Sequence, residues 1–226
     1  MNLRNLLRYL LLRDTSRGGE FAAISRELRP GCPRMVVDVG ANDGFGGSNS
    51  YGFIARGWHA ILIEPHPGPF AKLHTRYRDH PRVQCLNCAC GDTEGSQALF
   101  EGKDGVEGTL STLRTDDNPH LRQARTDKQI PVQVRRLDGL LAELKAPYDF
   151  GVLSIDTEGY DYRVLLGLDL GLWRPRVILT ESYFDNEQKF AYLQQHGYEL
   201  RAEVGANTVW APSDQRRPTD NGLGAG

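Results

Sequence analysis

The sequence predicts a single α/β domain: a mostly parallel, seven-stranded sheet that closes with a C-terminal antiparallel hairpin. Three observations predict it. Short continuous apolar runs alternate with helical patterns between residues 35 and 196. Strands read this way when helices cover both faces of a parallel sheet. The first run, Met35–Val39, leads straight into a glycine loop, GANDGFGG, and the carboxyl edge of such a sheet is where ligands bind. The last two runs, residues 198–204 and 208–210, are separated by Gly205-Ala206-Asn207, a hairpin-turn composition.

The chain has 226 residues, which suits one such domain with some decoration. A domain of that size buries about 70% of its unfolded surface and needs no disulfide or metal to fold. The boundaries expected are an N-terminal helical extension over residues 1–30, the α/β domain over 31–212 and a loose polar tail over 213–226. Leu3, Leu6, Leu7, Leu10 and Leu11 fall at helical spacing with arginines between and after them. Such a stripe offers a packing face, for the domain itself or for a homodimer. No small-residue cleavage site follows it, and no run reaches the ~20 apolar residues that span a membrane.

The elements follow in order. Met35–Val39 is β-branched and reads as a strand, residues 48–56 as a helix, and 60–64 as the second strand. Residues 69–78 read as a helix opened by proline, which lacks an N–H where none is needed. Residues 83–88 make a third strand. The stretch from Gly91 to Arg136 is too long for a simple connection, and long insertions near a site often cover substrates. Within it Thr109, Ser111 and Thr112 are candidate acceptor-pocket residues, or a surface loop. Residues 138–144 read as a helix capped by Asp138. Residues 150–155 and 177–180 are strands, with helices over 161–168 and 186–196.

Composition excludes several classes. The net charge is -2, with both signs dispersed, which is not the basic footprint of a nucleic-acid binder. Cys85, Cys88 and Cys90 lie in an apolar strand with no fourth zinc ligand nearby. With Cys32 they read as free thiols, as in a reducing cytoplasm. A Ser-nucleophile elbow, a P-loop and H-E-x-x-H are all absent, as is the N-P-P-Y box of nucleobase methylation.

The glycine loop carries the most chemistry. Gly40 and Gly44 let the backbone turn and approach a ligand closely, with Asn42 between them. Asp38, inside the loop's strand, suits a cationic ligand such as S-adenosylmethionine, with its ammonium and sulfonium. Pyrophosphate prefers bare N–H groups, and the G-x-G-x-x-G spacing is missing. Glu64 ends the second strand in ILIEP, beside Pro65, where a carboxylate can accept both ribose hydroxyls; NAD enzymes place an acid similarly. Residues 87–90, including Cys90, would border the adenine. His66 is expected to be exposed near the adenosine, and His120 a solvent-facing side chain.

Taken together, VVDVGANDG, ILIEPHP, CACGDTEG, SIDTEGYDYRVLLGL and RPRVILTES, in that order over residues 34–182, resemble the FkbM methyltransferase family. The I-D-x-E-G core, Ile155-Asp156-Thr157-Glu158-Gly159, is the most specific piece. Asp161 stands where the family usually carries Glu. The resemblance implies a Rossmann-like class I fold, S-adenosylmethionine as methyl donor and O-methylation of a sugar-like or polyketide-type hydroxyl.

Asp156, Glu158 and Glu181 are the candidate catalytic residues, at the ends of the fourth and fifth strands. Asp156 is also a candidate cofactor contact. Two uses stay open. Asp156 and Glu181 could hold Mg²⁺, which takes carboxylate oxygens and water and would lower the pKa of the acceptor hydroxyl. Alternatively one carboxylate acts as general base without metal. Two competing functions use the same sheet: an NAD(P)-linked oxidoreductase or epimerase of nucleotide sugars, and a non-catalytic protein that kept the fold.

Overall fold

The computed structural model describes residues 14–103, 110–115 and 125–214. Its strands are β1 (Met35–Val39), β2 (His59–Ile63), β3 (Val83–Leu86), β4 (Ala89–Cys90), β5 (Gly95–Gly102), β6 (Arg125–Arg135), β7 (Val152–Ile155), β8 (Val177–Glu181), β9 (Tyr198–Val204) and β10 (Asn207–Pro212). The helices are α1 (Glu20–Glu27), α2 (Tyr51–Ile54), α3 (Pro67–Tyr77), α4 (Leu137–Glu143), α5 (Asp161–Leu166) and α6 (Asn186–Gln195).

The main sheet has seven strands in the order β3-β2-β1-β7-β8-β10-β9. All neighbours pair in parallel except β10, which runs antiparallel to both β8 and β9. This is the Rossmann-like sheet with a closing hairpin that the apolar runs predict. The strand order reverses at the β1–β7 seam, the place where a crevice opens above such a sheet.

Side-chain alternation splits the core in two. Val37 and Val39 of β1 join Leu153, Ile155, Ile178 and Trp210 on the face covered by α4, α5 and α6. Val36 joins Val152, Leu179 and Val209 on the other face, against Phe21, Ile24, Phe53 and Leu73 from α1, α2 and α3. Each such side chain contributes about 1.5–3 kcal/mol by leaving water. The same parity places Asp38 on the α2 face, where Ser50 meets it.

Several elements depart from expectation for local reasons. The helix expected over 48–56 shrinks to α2. Ser48 Oγ accepts from the N–H groups of Ser50 and Tyr51, and these side-chain bonds hold the preceding residues in a turn. α3 starts at Pro67 rather than Pro69, because His66 Nδ1 accepts from Gly68 N and caps the helix. His66 is therefore buried, at 2% exposure, and not the exposed side chain expected. Asp138 does not cap α4. Arg136 occupies the cap, and Asp138 sits in the first turn, paired with the Arg136 guanidinium at 2.6 Å.

The apolar run 83–88 breaks at Asn87, whose Nδ2 donates to the carbonyls of Glu64 and Pro65. The chain then leaves the main sheet as β4. With β5 and β6 it forms a second, three-stranded sheet of order β4-β6-β5. Within the segment 91–136, β5 and β6 thus build a small sheet with its own core of Ala89, Leu99, Leu113, Val132 and Val134. The N-terminal leucine stripe, Thr109, His120 and residues 215–226 lie outside the described residues. Among those described, no helix is long and apolar enough to cross a membrane. The four cysteines are free thiols, with Cys88 and Cys90 buried.

Candidate active site

A cavity of about 270 Å³ opens at the carboxyl edge of the sheet, above the β1–β7 seam. The loop after β1 is its floor. Gly40 N and Ala41 N both donate to Ile63 O, and Asp156 N donates to Val39 O. These bonds lace the ends of β2, β1 and β7 together. Gly40 has φ 90°, and a Cβ there would lie 1.8 Å from the Asp156 carbonyl oxygen. The two loops touch backbone to backbone, which only glycine permits. Gly44 serves differently. It packs under the loop, where a Cβ would strike Leu73 and Tyr77, and its carbonyl accepts from Tyr77 Oη at 2.7 Å.

Of the residues singled out from sequence, Asp38, Gly40, Asn42, Glu64, Pro65, Cys90, Asp156 and Glu158 line this one cavity. Gly44 and Glu181 do not. Asp38 accepts from Ser50 Oγ at 2.5 Å. Burial pushes its carboxyl above the usual range, against the hydroxyls of Ser50 and Ser154. Glu64 bridges two segments: Oε2 accepts from Asn42 N at 2.9 Å and Oε1 from His66 N at 2.8 Å. Burial outweighs those bonds and lifts its pKa to about 7.

The turn after β7 is strained. Glu158 has φ 52° and Gly159 φ 93°, a left-handed conformation that costs a non-glycine residue about 1–3 kcal/mol. The neighbours hold it. Gly159 N donates to Glu181 Oε2 at 3.0 Å, and Gly159 O accepts from Arg114 at 2.9 Å. Asp161 accepts from Thr157 N, Thr157 Oγ1 and Glu181 N. That carboxylate staples the β7 turn to the end of β8.

Oxygens of Asp156, Glu158 and Glu181 consequently lie within 4.8 Å of one another. Burial raises the pKa of Asp156 well above the usual carboxylate range, and the charges of Glu158, Asp161 and Asp38 push it further. Glu181 is raised well above its usual range by burial, then by Asp161, Asp156 and Glu158. Lys189 of α6 opposes the rise at Asp161 from within the protein, while burial lowers its own pKa. It is buried at 1% exposure, and its Nζ donates to the Glu181 carbonyl.

Sequence reasoning missed the wall made by the N-terminal segment. Ser16 bridges to Gly47 of the glycine loop, which sets Arg17 and Glu20 on the cavity. It also missed Asn49, Tyr160 and Asn207 there. Tyr160 follows the I-D-x-E-G core and Asn49 the glycine loop, but Arg17, Glu20 and Asn207 carry no local motif. Those three meet the site only through tertiary contacts, so spacing along the chain holds no signal for them. Ser111, a candidate from sequence, lines the cavity with Leu99 and Leu113 of the small-sheet region. Thr112 is instead buried, with its backbone bonded to Phe100.

The cavity wall carries six acidic residues (Glu20, Asp38, Asp43, Glu64, Asp156, Glu158) against one arginine, Arg17. The donor set fits a cation carrying a ribose. It has carboxylates for an ammonium and for hydroxyls, and an apolar end at Ala89, Cys90, Leu99 and Leu113 for a flat base.

Comparison with known proteins gives the same direction. The sequence profile of the methyltransferase FkbM domain matches residues 38–200. A protein from Beauveria bassiana (strain ARSEF 2860) called Methyltransferase 1 is 25% identical over 169 residues, covering 68% of this chain and 67% of its own. A crystal structure of methyltransferase FkbM from Methylobacillus flagellatus KT superposes with a TM-score of 0.50 at 14% identity. The superposition covers 92% of this chain and 59% of the other, so the chain spans about three fifths of that relative's length.

Proposed function

The chain belongs to the methyltransferase FkbM domain family, and from that premise we propose that it transfers a methyl group from S-adenosylmethionine to a hydroxyl of a small sugar-like or polyketide-type acceptor. The observation that carries this reading is the shared cavity wall of Asp38, Glu64 and Asp156 at the ends of β1, β2 and β7. Three carboxylates along one crevice suit a cationic donor. A pyrophosphate would be repelled by them, which disfavours the NAD(P)-linked alternative.

The donor supplies a methyl group activated by its bond to a sulfonium. The protein holds and orients. Glu64 has lone pairs left for the two ribose hydroxyls, Pro65 and Cys90 border the base, and Asp38 and the glycine loop surround the cationic end. Asp156 and Glu158 face the acceptor side. Either carboxylate can hydrogen-bond the acceptor hydroxyl and take its proton as the oxygen–methyl bond forms and the carbon–sulfur bond breaks. A carboxylate raised toward neutrality is the better base. Glu181 stands behind them and holds the turn through Gly159.

Calorimetry with S-adenosylmethionine and with NAD tests the donor; no binding of the former to folded protein overturns the proposal. Glu64 adds a pH signature. Its carboxylate must be ionised to accept ribose hydroxyls, and its ligand-free pKa is about 7. Donor affinity is expected to fall roughly tenfold from pH 8 to pH 6. Glu64→Gln should bind about tenfold more weakly at pH 8 and lose the pH dependence. A wild-type affinity flat across that range removes Glu64 from the ribose. Turnover of any acceptor separates the enzyme from a non-catalytic binding protein.

The convergence of Asp156, Glu158 and Glu181 within 4.8 Å supports a second reading, with Mg²⁺ on Asp156 and Glu181. The ion would polarise the acceptor hydroxyl and draw down its pKa. Chelation by EDTA should then abolish methyl transfer and Mg²⁺ restore it. Full activity after rigorous chelation leaves the metal-free base.

A further inference from the structure

Arg17 is the one cation among the described side chains that line the cavity, set against six acidic residues. The chemistry proposed above does not use it. The segment that carries it is moored on both sides. Ser16 bridges to Gly47, and its N–H and hydroxyl donate to Asp14 Oδ1 at 2.9 and 2.6 Å. Beyond Arg17, Glu20 Oε2 accepts from Gly18 N and Gly19 N at 2.8 and 2.9 Å, and Glu20 Oε1 accepts from Asn207 Nδ2 at 3.2 Å. The Arg17 side chain lies across Gly47, where a Cβ would stand 3.0 Å from Arg17 Nε and 3.2 Å from its Cγ. Its charge also reaches Asp156 and draws that carboxyl down, against burial and three neighbouring acids. Arg17 thus spans from the far end of the glycine loop toward the end of β7.

The donor can be oriented by its two ends. In the reading above, Glu64 takes the ribose and Cys90 borders the base, on the β2 and β4 side of Gly40. The methionine end then runs the other way, over Gly40 toward Gly46, Gly47 and Asp156, which line the cavity there. That end is a zwitterion. Its ammonium suits Asp38 or Asp156. Its carboxylate has the opposite need, because a wall of six acidic residues repels it and a cation within reach must offset them. An arginine presents paired N–H groups in a planar fork that matches the two carboxylate oxygens. Arg17 stands at the end of the cavity where those oxygens arrive.

Resting on the methyl-transfer reading, we propose that Arg17 is a donor-binding residue: its guanidinium holds the α-carboxylate of the methionine end of S-adenosylmethionine, and of S-adenosylhomocysteine after transfer. The segment ahead of β1 is then a working wall of the donor site, and the bare Cα of Gly47 leaves the room in which the arginine crosses to it.

The test is calorimetry on the full chain with two ligands, S-adenosylhomocysteine and its decarboxylated form, which keeps the ammonium and lacks the carboxylate. Low salt is used, since Arg17 is exposed to solvent and screening would blunt its effect. Arg17→Gln should weaken S-adenosylhomocysteine about tenfold. The decarboxylated form should bind that variant as it binds wild type, to within about twofold, or more tightly. Arg17→Lys keeps the charge without the planar fork and should weaken S-adenosylhomocysteine alone, by about threefold. Should the glutamine variant not fold, the lysine variant carries the same comparison. The inference is overturned if the two ligands weaken alike, if neither weakens, or if only the decarboxylated form does. Failure of wild type to bind S-adenosylhomocysteine overturns the donor reading, and this inference with it. Wild-type binding that Arg17→Gln leaves unchanged overturns this inference alone.

Discussion

Gly40→Ala is expected to abolish donor binding and to destabilise the fold by about 3 kcal/mol or more, from a left-handed backbone and a steric overlap acting together. The added Cβ would sit 1.8 Å from the Asp156 carbonyl oxygen and 2.9 Å from its carbonyl carbon. Both are backbone atoms, so no side chain can rotate away. Neither strand end is free to retreat, since Gly40 N and Ala41 N are bonded to Ile63 O and Asp156 N to Val39 O. Relief requires opening the β1–β7 seam, which moves Asp156 and Glu158 off the cavity wall. Gly46 is the control. It lines the same cavity, but a Cβ there meets nothing nearer than Asp43 Oδ1 at 3.8 Å. Gly46→Ala should retain wild-type stability in denaturant melts and wild-type affinity by calorimetry. Normal donor affinity in Gly40→Ala would show that the seam is not the floor of the donor site.

Asp156→Asn should lower methyl transfer by roughly 10²–10⁴-fold, the usual worth of a positioned general base. The same variant should melt at a higher temperature than wild type at pH 8, by a stabilisation on the order of 1 kcal/mol. Asp156 is forced upward first by burial and then by the charges of Glu158, Asp161 and Asp38. Ionising it in the folded state therefore costs more than in the unfolded chain. The cost appears as pH rises above the ordinary carboxylate range and is absent below it, where both states are protonated. The gain in melting temperature should accordingly fade as pH falls toward 4. A variant that is inactive and also less stable would mean that Asp156 holds the turn rather than the acceptor.

The central strands β1, β2, β7 and β8 were legible because they are buried on both faces and so read as unbroken apolar runs, and the closing hairpin because of its turn composition. Met35–Val39, residues 177–180 and the closing hairpin all appear where the pattern puts them. Asp38 and Glu64 were legible because a strand end running into Gly40 or Pro65 marks the functional edge, and Asp156 because it sits in the I-D-x-E-G core. The small sheet was not. β5 and β6 are largely solvated on one side and carry polar alternation, SQALFEG and TDKQIPVQVR, which reads equally well as loop. His66 was misjudged because a histidine that caps a helix is defined by the turn it closes, Gly68 N onto Nδ1, and not by its neighbours in sequence. Arg17, Glu20 and Asn207 were invisible for a different reason: each reaches the cavity by packing against a segment remote in the chain.

That remoteness has a kinetic consequence. Glu20 and Asn207 are 187 residues apart, so their contact closes a very long loop. Loop-closure entropy grows only slowly with length, but pairings this non-local slow folding. The Glu20–Asn207 stretch of the cavity wall cannot form before β10 exists, whereas the loop floor needs only β1, β2 and β7.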